Sequence, residues 1–287
     1  MRTGRRGRRI GWTLVSAGMA ACGGRPAAPP TAIVVPPVTP PDSSLRAPDG
    51  SRVPSGPLGR SILRGHAILA ATGDSLPLHV GNALHCTSCH LDDGRRPGAM
   101  PLTGVYARFP QYSARSGHII TIADRINGCL QRSMNGSALP AGDPALRDMV
   151  TYLAFISKGI AVGDTVAGQG LARLTVTTAD TTAGGQLFRD HCIRCHGPDG
   201  GGTALAPPLW GSESFNIGAG MARRNTAAAF IQANMPYDSA GVLSPQQAMD
   251  VAAYVTSRPR PDLPGKEHDW PFGGAPPDAP YHTGVPR

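Results

Sequence analysis

Four of the six cysteines fall in two C-x-x-C-H sequences, Cys86-Thr-Ser-Cys89-His90 and Cys192-Ile-Arg-Cys195-His196. Two thiols at that spacing can bind one haem through thioethers while the following imidazole takes the proximal position on iron. A zinc or redox C-x-x-C pair is the competing chemistry. The His in both motifs and the duplicated layout favour two haem c groups, with His90 and His196 as iron ligands. A further thiol, Cys129, lies within TIADRINGCLQRSMNG at 121–136, where Thr121 with Asp124 forms a capping box and Asn135-Gly136 a left-handed stop. On such a helix Arg125, Cys129 and Ser133 stack at i, i+4 and i+8. A guanidinium, a thiol and a hydroxyl a turn apart make a poor core stripe and a suitable anion site.

Counting along the repeat links that thiol to iron. Met235 lies 39 residues after His196, and Cys129 lies 39 residues after His90. Equal offsets give Met235 and Cys129 the same place in the two halves, which predicts Met/His ligation in the second and Cys/His ligation in the first. Met221 and Met249 compete with Met235, and Met134 and Met100 compete with Cys129. A thiolate stabilises ferric iron, so electrons entering at the first haem would run downhill to the second. An arginine beside a metal-bound sulfur suits an anionic sulfur compound, because Arg stays charged and grips oxyanions through a fork of donors. Arg115 and Arg125 could instead serve haem propionates.

The elements that must position these groups are mostly helices. Apolar residues recur at helical spacing from Leu58 to Thr72, and Asp143-Pro144 caps a helix carrying Leu146, Met149, Val150, Leu153 and Ile156. A Gly- and Thr-rich link at 160–182 separates the halves. The second half repeats the plan, with a short helix from Gly184 to Asp190 and a closing helix opened by Ser244-Pro245-x-Gln247. The expected fold is therefore mainly α: two tandem class I cytochrome c domains, at 58–162 and 176–260. A Pro-rich tether at 22–57 precedes them, and an irregular tail at 261–287 is expected to wrap the surface.

Residues 1–21 combine five arginines with an apolar run, Ile10 to Ala21, as an export signal does. The run ends at Met19-Ala20-Ala21-Cys22, a lipoprotein-like box that makes Cys22 a candidate lipid anchor. Cleavage would reduce the formal charge of +8 to +3, with 22 basic against 19 acidic side chains. That balance argues against a nucleic-acid partner. Location on the outer side of the cytoplasmic membrane or in the periplasm follows.

From Gly59 to Tyr281 the chain resembles the dihaem thiosulfate dehydrogenase family, which joins two thiosulfates into tetrathionate. The likeness is carried by GNALHCTSCHLDDG, FPQYSARSG, DRINGCLQRSMNG, CIRCHGPDG, PPLWGSESFNIGAGM, ANMP and DWPFGGAPPDAPY. It implies that Cys129 is the sixth ligand of the active-site haem, and that Arg115, Arg125 and Ser133 line the thiosulfate site. It also implies that Met235 ligates the second haem in at least some redox states. Asn234 stands here where some members carry a lysine. The expected partners are thiosulfate or tetrathionate and a small c-type cytochrome or other periplasmic electron acceptor. The alternatives are a dihaem carrier with no substrate of its own, or a subunit of a sulfur-oxidising or oxidase complex.

Overall fold

The computed structural model describes residues 50–285 apart from 165 and 167. The export signal, Cys22 and most of the Pro-rich tether lie outside the described residues. No described helix is long and apolar enough to cross a membrane.

The first half opens with α1 (Gly56–Ala70), whose Ile62, Ile68 and Leu69 are buried. A two-stranded antiparallel hairpin follows, β1 (Gln111–Ser113) and β2 (His118–Ile120), a feature with no sequence signal strong enough to be expected. Then come α2 (Ile122–Arg132) and α3 (Pro144–Ile156). The Asp143 carboxylate accepts from the Ala145 amide and Pro144 takes the first turn, as the sequence predicts. The second half holds α4 (Thr181–His191), α5 (Arg224–Asn234) and α6 (Pro245–Thr256). Asp180 caps α4 by accepting from the Thr182 and Ala183 amides, which starts that helix earlier than the apolar pattern alone suggests.

The halves repeat a single packing device. α1 crosses α3 where a β-carbon on Gly65 would overlap the Asp148 carbonyl, and α4 crosses α6 where one on Gly184 would overlap the Asp250 carbonyl. Both crossings bring backbones together at a glycine, and both place it against a buried aspartate. Asp148 is held by Ser61 at 2.6 Å and by Arg64 at 2.6 and 3.0 Å. Asp250 takes the Asp180 amide at 2.8 Å and Gln246 at 2.8 Å.

The halves share a core. Phe215, Ala219 and Ala222, from the second half, pack with Ile62, Leu130 and Tyr152 of the first. The tail departs from expectation. It is irregular, yet Trp270, Ala279 and Tyr281 are buried and close a cluster with Ile217 and Ala275. Aromatic rings at 270 and 281 supply enough apolar area to dock a segment that has no period of its own.

Candidate active site

Local sequence builds the helix that presents Cys129. The Thr121 hydroxyl accepts from the Asp124 amide at 3.2 Å, and the Asp124 carboxylate takes the Thr121 amide at 2.8 Å. That capping box starts α2 with its acid at the positive end of the helix. Ile122, Ile126 and Leu130 bury one face. The flank next to it carries Arg125, whose Nη1 donates to the Cys129 Sγ at 3.3 Å. At the end of the helix the Ser133 amide donates to the Cys129 carbonyl at 2.8 Å, and its carbonyl accepts from Asn82 at 2.8 Å. Its hydroxyl bonds to no described residue, so it is available to a ligand. Asn82 also donates to the Ser214 carbonyl at 3.1 Å, joining the end of this helix to the second half. Asn135 adopts a left-handed φ of 47°, and the Gly136 amide returns to the Leu130 carbonyl at 2.9 Å.

Arg115 arrives from the hairpin turn between β1 and β2. Its guanidinium lies 4.6 Å from the centre of the Trp270 ring, and its Nη1 donates to the Gly218 carbonyl at 2.7 Å. The Trp270 amide donates back to the Arg115 carbonyl at 2.8 Å. Burial lowers the Arg115 pKa from its ordinary value; nearby Tyr281 and Asp269 oppose that shift, and Arg132 and Arg125 add to it. Three guanidiniums thus share one region. Arg132 is neutralised by Asp269, through bonds of 2.9 and 2.7 Å. The same carboxylate accepts the Tyr281 hydroxyl at 2.5 Å, and burial together with that bond pushes the phenol up to about 12. Arg115 and Arg125 have no carboxylate partner among the described residues. Arg125 at the thiol, with Arg115 near enough to feel its charge, leaves positive charge here that suits a small dianion. Arg132, Asp269, Trp270 and Tyr281 have no motif spacing that could have revealed them. The aromatic and acidic residues of DWPFGGAPPDAPY were the available signal.

The two C-x-x-C-H segments are built alike. His90 Nδ1 is bonded to the Met100 carbonyl at 2.6 Å, and His196 Nδ1 to the Pro207 carbonyl at 2.9 Å. In each case the tautomer that donates from Nδ1 leaves the Nε2 lone pair directed away, as a ligating imidazole requires. Burial lowers both imidazole pKa values, favouring the neutral form. The four motif cysteines are unbridged. Burial pushes Cys86 to about 11, Cys89 to about 12 and Cys192 to about 11. The proximity of Cys129 adds to the shift at both Cys86 and Cys89, so the three thiols share the first-half site.

These residues fit haem c. Each half offers two thiols for thioether attachment and a neutral, oriented imidazole. Buried guanidinium nitrogens on Arg95, Arg96, Arg224, Arg258 and Arg260 have no partner, and the two carboxylates of a haem would satisfy such groups. Burial lowers Arg260 to about 10, and among the described residues its hydrogen bonds go to the Leu209 and Val255 carbonyls. Met235 caps α5 and packs beside Leu91, Ala99 and Phe230. Met249 and Met134 are enclosed in separate apolar clusters.

Fold and site together define an oxidoreductase made of two cytochrome c domains. Residues 80–162 match the SoxA/TsdA cytochrome c domain, and residues 179–255 match the cytochrome c oxidase cbb3-type subunit III family. The thiosulfate dehydrogenase of Allochromatium vinosum is 46% identical over 233 residues, covering 77% of this chain and 86% of that protein. The thiosulfate dehydrogenase of Psychrobacter arcticus is 41% identical over 242 residues, covering 82% and 74%. The solved structure of thiosulfate dehydrogenase TsdBA from Marichromatium purpuratum superposes with a TM-score of 0.74 at 35% identity, over 81% of this chain. This chain spans about half of that one, 54%. The chain belongs to the thiosulfate dehydrogenase family.

Proposed function

We propose that the protein oxidises thiosulfate to tetrathionate in the recess formed by Arg115, Arg125, Cys129 and Ser133, using two haem c groups. The Arg125 to Cys129 contact carries this reading, because it sets a guanidinium at the sulfur where an anionic substrate must react. Cys86 and Cys89 would hold the first haem covalently, and His90 and Cys129 would be its iron ligands. Cys192 and Cys195 would hold the second, and His196 and Met235 would be its iron ligands. The bound haems supply one-electron oxidising capacity.

The protein's own groups do the rest. Arg115 and Arg125 bind the sulfonate oxygens of thiosulfate and offset the repulsion between two dianions brought together. The Ser133 hydroxyl donates a further hydrogen bond. Cys129 Sγ faces the sulfane sulfur, placing it for sulfur–sulfur bond formation. Two thiosulfates lose two electrons and form one S–S bond, so no proton moves and no general base is required. A small c-type cytochrome or other periplasmic acceptor would take up the two electrons. The family and the Arg-rich leader favour a periplasmic site of action, with Cys22 as a candidate lipid anchor.

The test is turnover of the haem-loaded protein with thiosulfate and ferricyanide, following ferricyanide loss and tetrathionate appearance. Turnover is expected, and Cys129→Gly should abolish it with both haems retained. Full activity in Cys129→Gly overturns the mechanism. No turnover in the unmodified protein, with both haems reducible by dithionite, supports a substrate-free carrier or a partner-dependent subunit.

A further inference from the structure

Met235 lies on the seam between the halves, against the segment that holds His90. Its cluster contains Leu91, the residue after His90, and Met100, whose carbonyl takes His90 Nδ1 at 2.6 Å. The residues flanking Met235 are tied to the same segment. Asn234 is 1% exposed and its Nδ2 donates to the Gly98 carbonyl at 2.9 Å, and also to Phe230 at 3.1 Å. Two residues beyond Met235, the Tyr237 hydroxyl donates to Asp92 Oδ1 at 3.3 Å. The Tyr237 ring lies 4.8 Å from the Arg96 guanidinium, and Arg96 Nε is 3.9 Å from Asp92 Oδ2.

The geometry of the Asp92 turn is itself specified. Asp92 and Asp93 have φ of 53° and 55°, a left-handed conformation that side chains rarely adopt. The turn is pinned by the Gly94 amide on the His90 carbonyl at 2.9 Å and by the Tyr152 hydroxyl on the Asp93 carbonyl at 2.9 Å. His66 Nε2 closes on Asp93 Oδ2 at 3.2 Å. Strained backbone held by several independent contacts marks a place where direction matters. Here it directs Asp92 at Tyr237. By contrast the Arg194–Asp238 pair, which joins the same loop to the second C-x-x-C-H motif, is 72% and 57% exposed and contributes little.

We infer that the segment from Asp92 to Met100 of the first half is a positioning clasp for Met235, acting through Asn234 and Tyr237, so that ligation in the second half is set by the proximal side of the first. This rests on the reading in which Met235 ligates the second haem. Asn234, Tyr237, Asp92 and Arg96 are positioning residues that act on the Met235 loop.

The experiment uses the ferric haem-loaded protein and two readouts, the long-wavelength methionine-to-iron charge-transfer band and titration with imidazole. Tyr237 is more than half exposed, so Tyr237→Ala removes both of its clasp contacts with little risk to folding; Asn234→Ala is the second variant. The expected result is a weakened band and imidazole binding about tenfold tighter at the second haem, the change that losing one hydrogen bond produces. Tyr237→Phe, which keeps the ring under Arg96, should shift it less. Imidazole affinity and band intensity unchanged in both alanine variants overturn the clasp. Met235→Ala separates the two claims: a band already absent from the unmodified protein, or surviving in Met235→Ala, removes the ligation reading and the clasp with it.

Discussion

Asp269 is the carboxylate on which the cationic recess closes, and Asp269→Ala tests that geometry. The substitution removes two bonds to Arg132, at 2.9 and 2.7 Å, and one to Tyr281 at 2.5 Å, from a side chain only 7% exposed. Losing one partner of a buried ion pair costs roughly 3–5 kcal/mol. The Arg132 side chain keeps 21% exposure and can be partly rehydrated, which points to the lower end, about 3 kcal/mol. At about 2–4 °C per kcal/mol for a chain of this size, the melting temperature should fall by about 6–12 °C. A second effect reaches the substrate. Trp270, the next residue, supports Arg115 through its ring and its amide. An unpaired Arg132 would also compete with Arg115 and Arg125 for the same anion. A charge-assisted hydrogen bond is worth about 1.5–3 kcal/mol, so even partial loss of the Arg115 contact should raise KM for thiosulfate about tenfold. Calorimetry or circular dichroism gives the first quantity and steady-state kinetics the second. A melting temperature within about 2 °C of the unmodified protein, with unchanged KM, would refute the reasoning.

Further outcomes follow from the same geometry. Gly65→Ala should destabilise the first half by about 1–3 kcal/mol, because the added carbon meets the Asp148 backbone and cannot rotate away; unfolding in denaturant measures it, and a neutral result would mean that α1 and α3 separate easily. If Cys129 ligates the first haem as proposed, Cys129→Met exchanges an anionic donor for a neutral thioether, so the potential of the first haem should rise in a redox titration while that of the second stays put. In the unmodified protein the first haem should therefore titrate at the lower potential; the reverse order would remove the downhill path to the second.

Sequence alone determined whatever is written within a few residues. The C-x-x-C-H segments specify attachment chemistry by spacing. The capping boxes at Thr121 and Ser244 and the Asp143-Pro144 start appear as predicted, because a cap is a bond between residues two or three apart. The Arg125 to Cys129 contact follows from helical geometry for the same reason. Only tertiary structure decided how the recess is completed. Arg115 is delivered by a hairpin and held by Gly218 and Trp270, and Arg132 is paired with Asp269 across 137 positions of the chain. The tail carries no helical or alternating period and reads as surface chain, yet two of its aromatic rings are buried. The clasp on Met235 is equally silent, since Tyr237 and Asp92 are 145 residues apart. Local hydrogen-bond patterns repeat with the backbone and leave a period to read. Docking between distant segments depends on which surfaces meet after folding, and no spacing in the sequence records that.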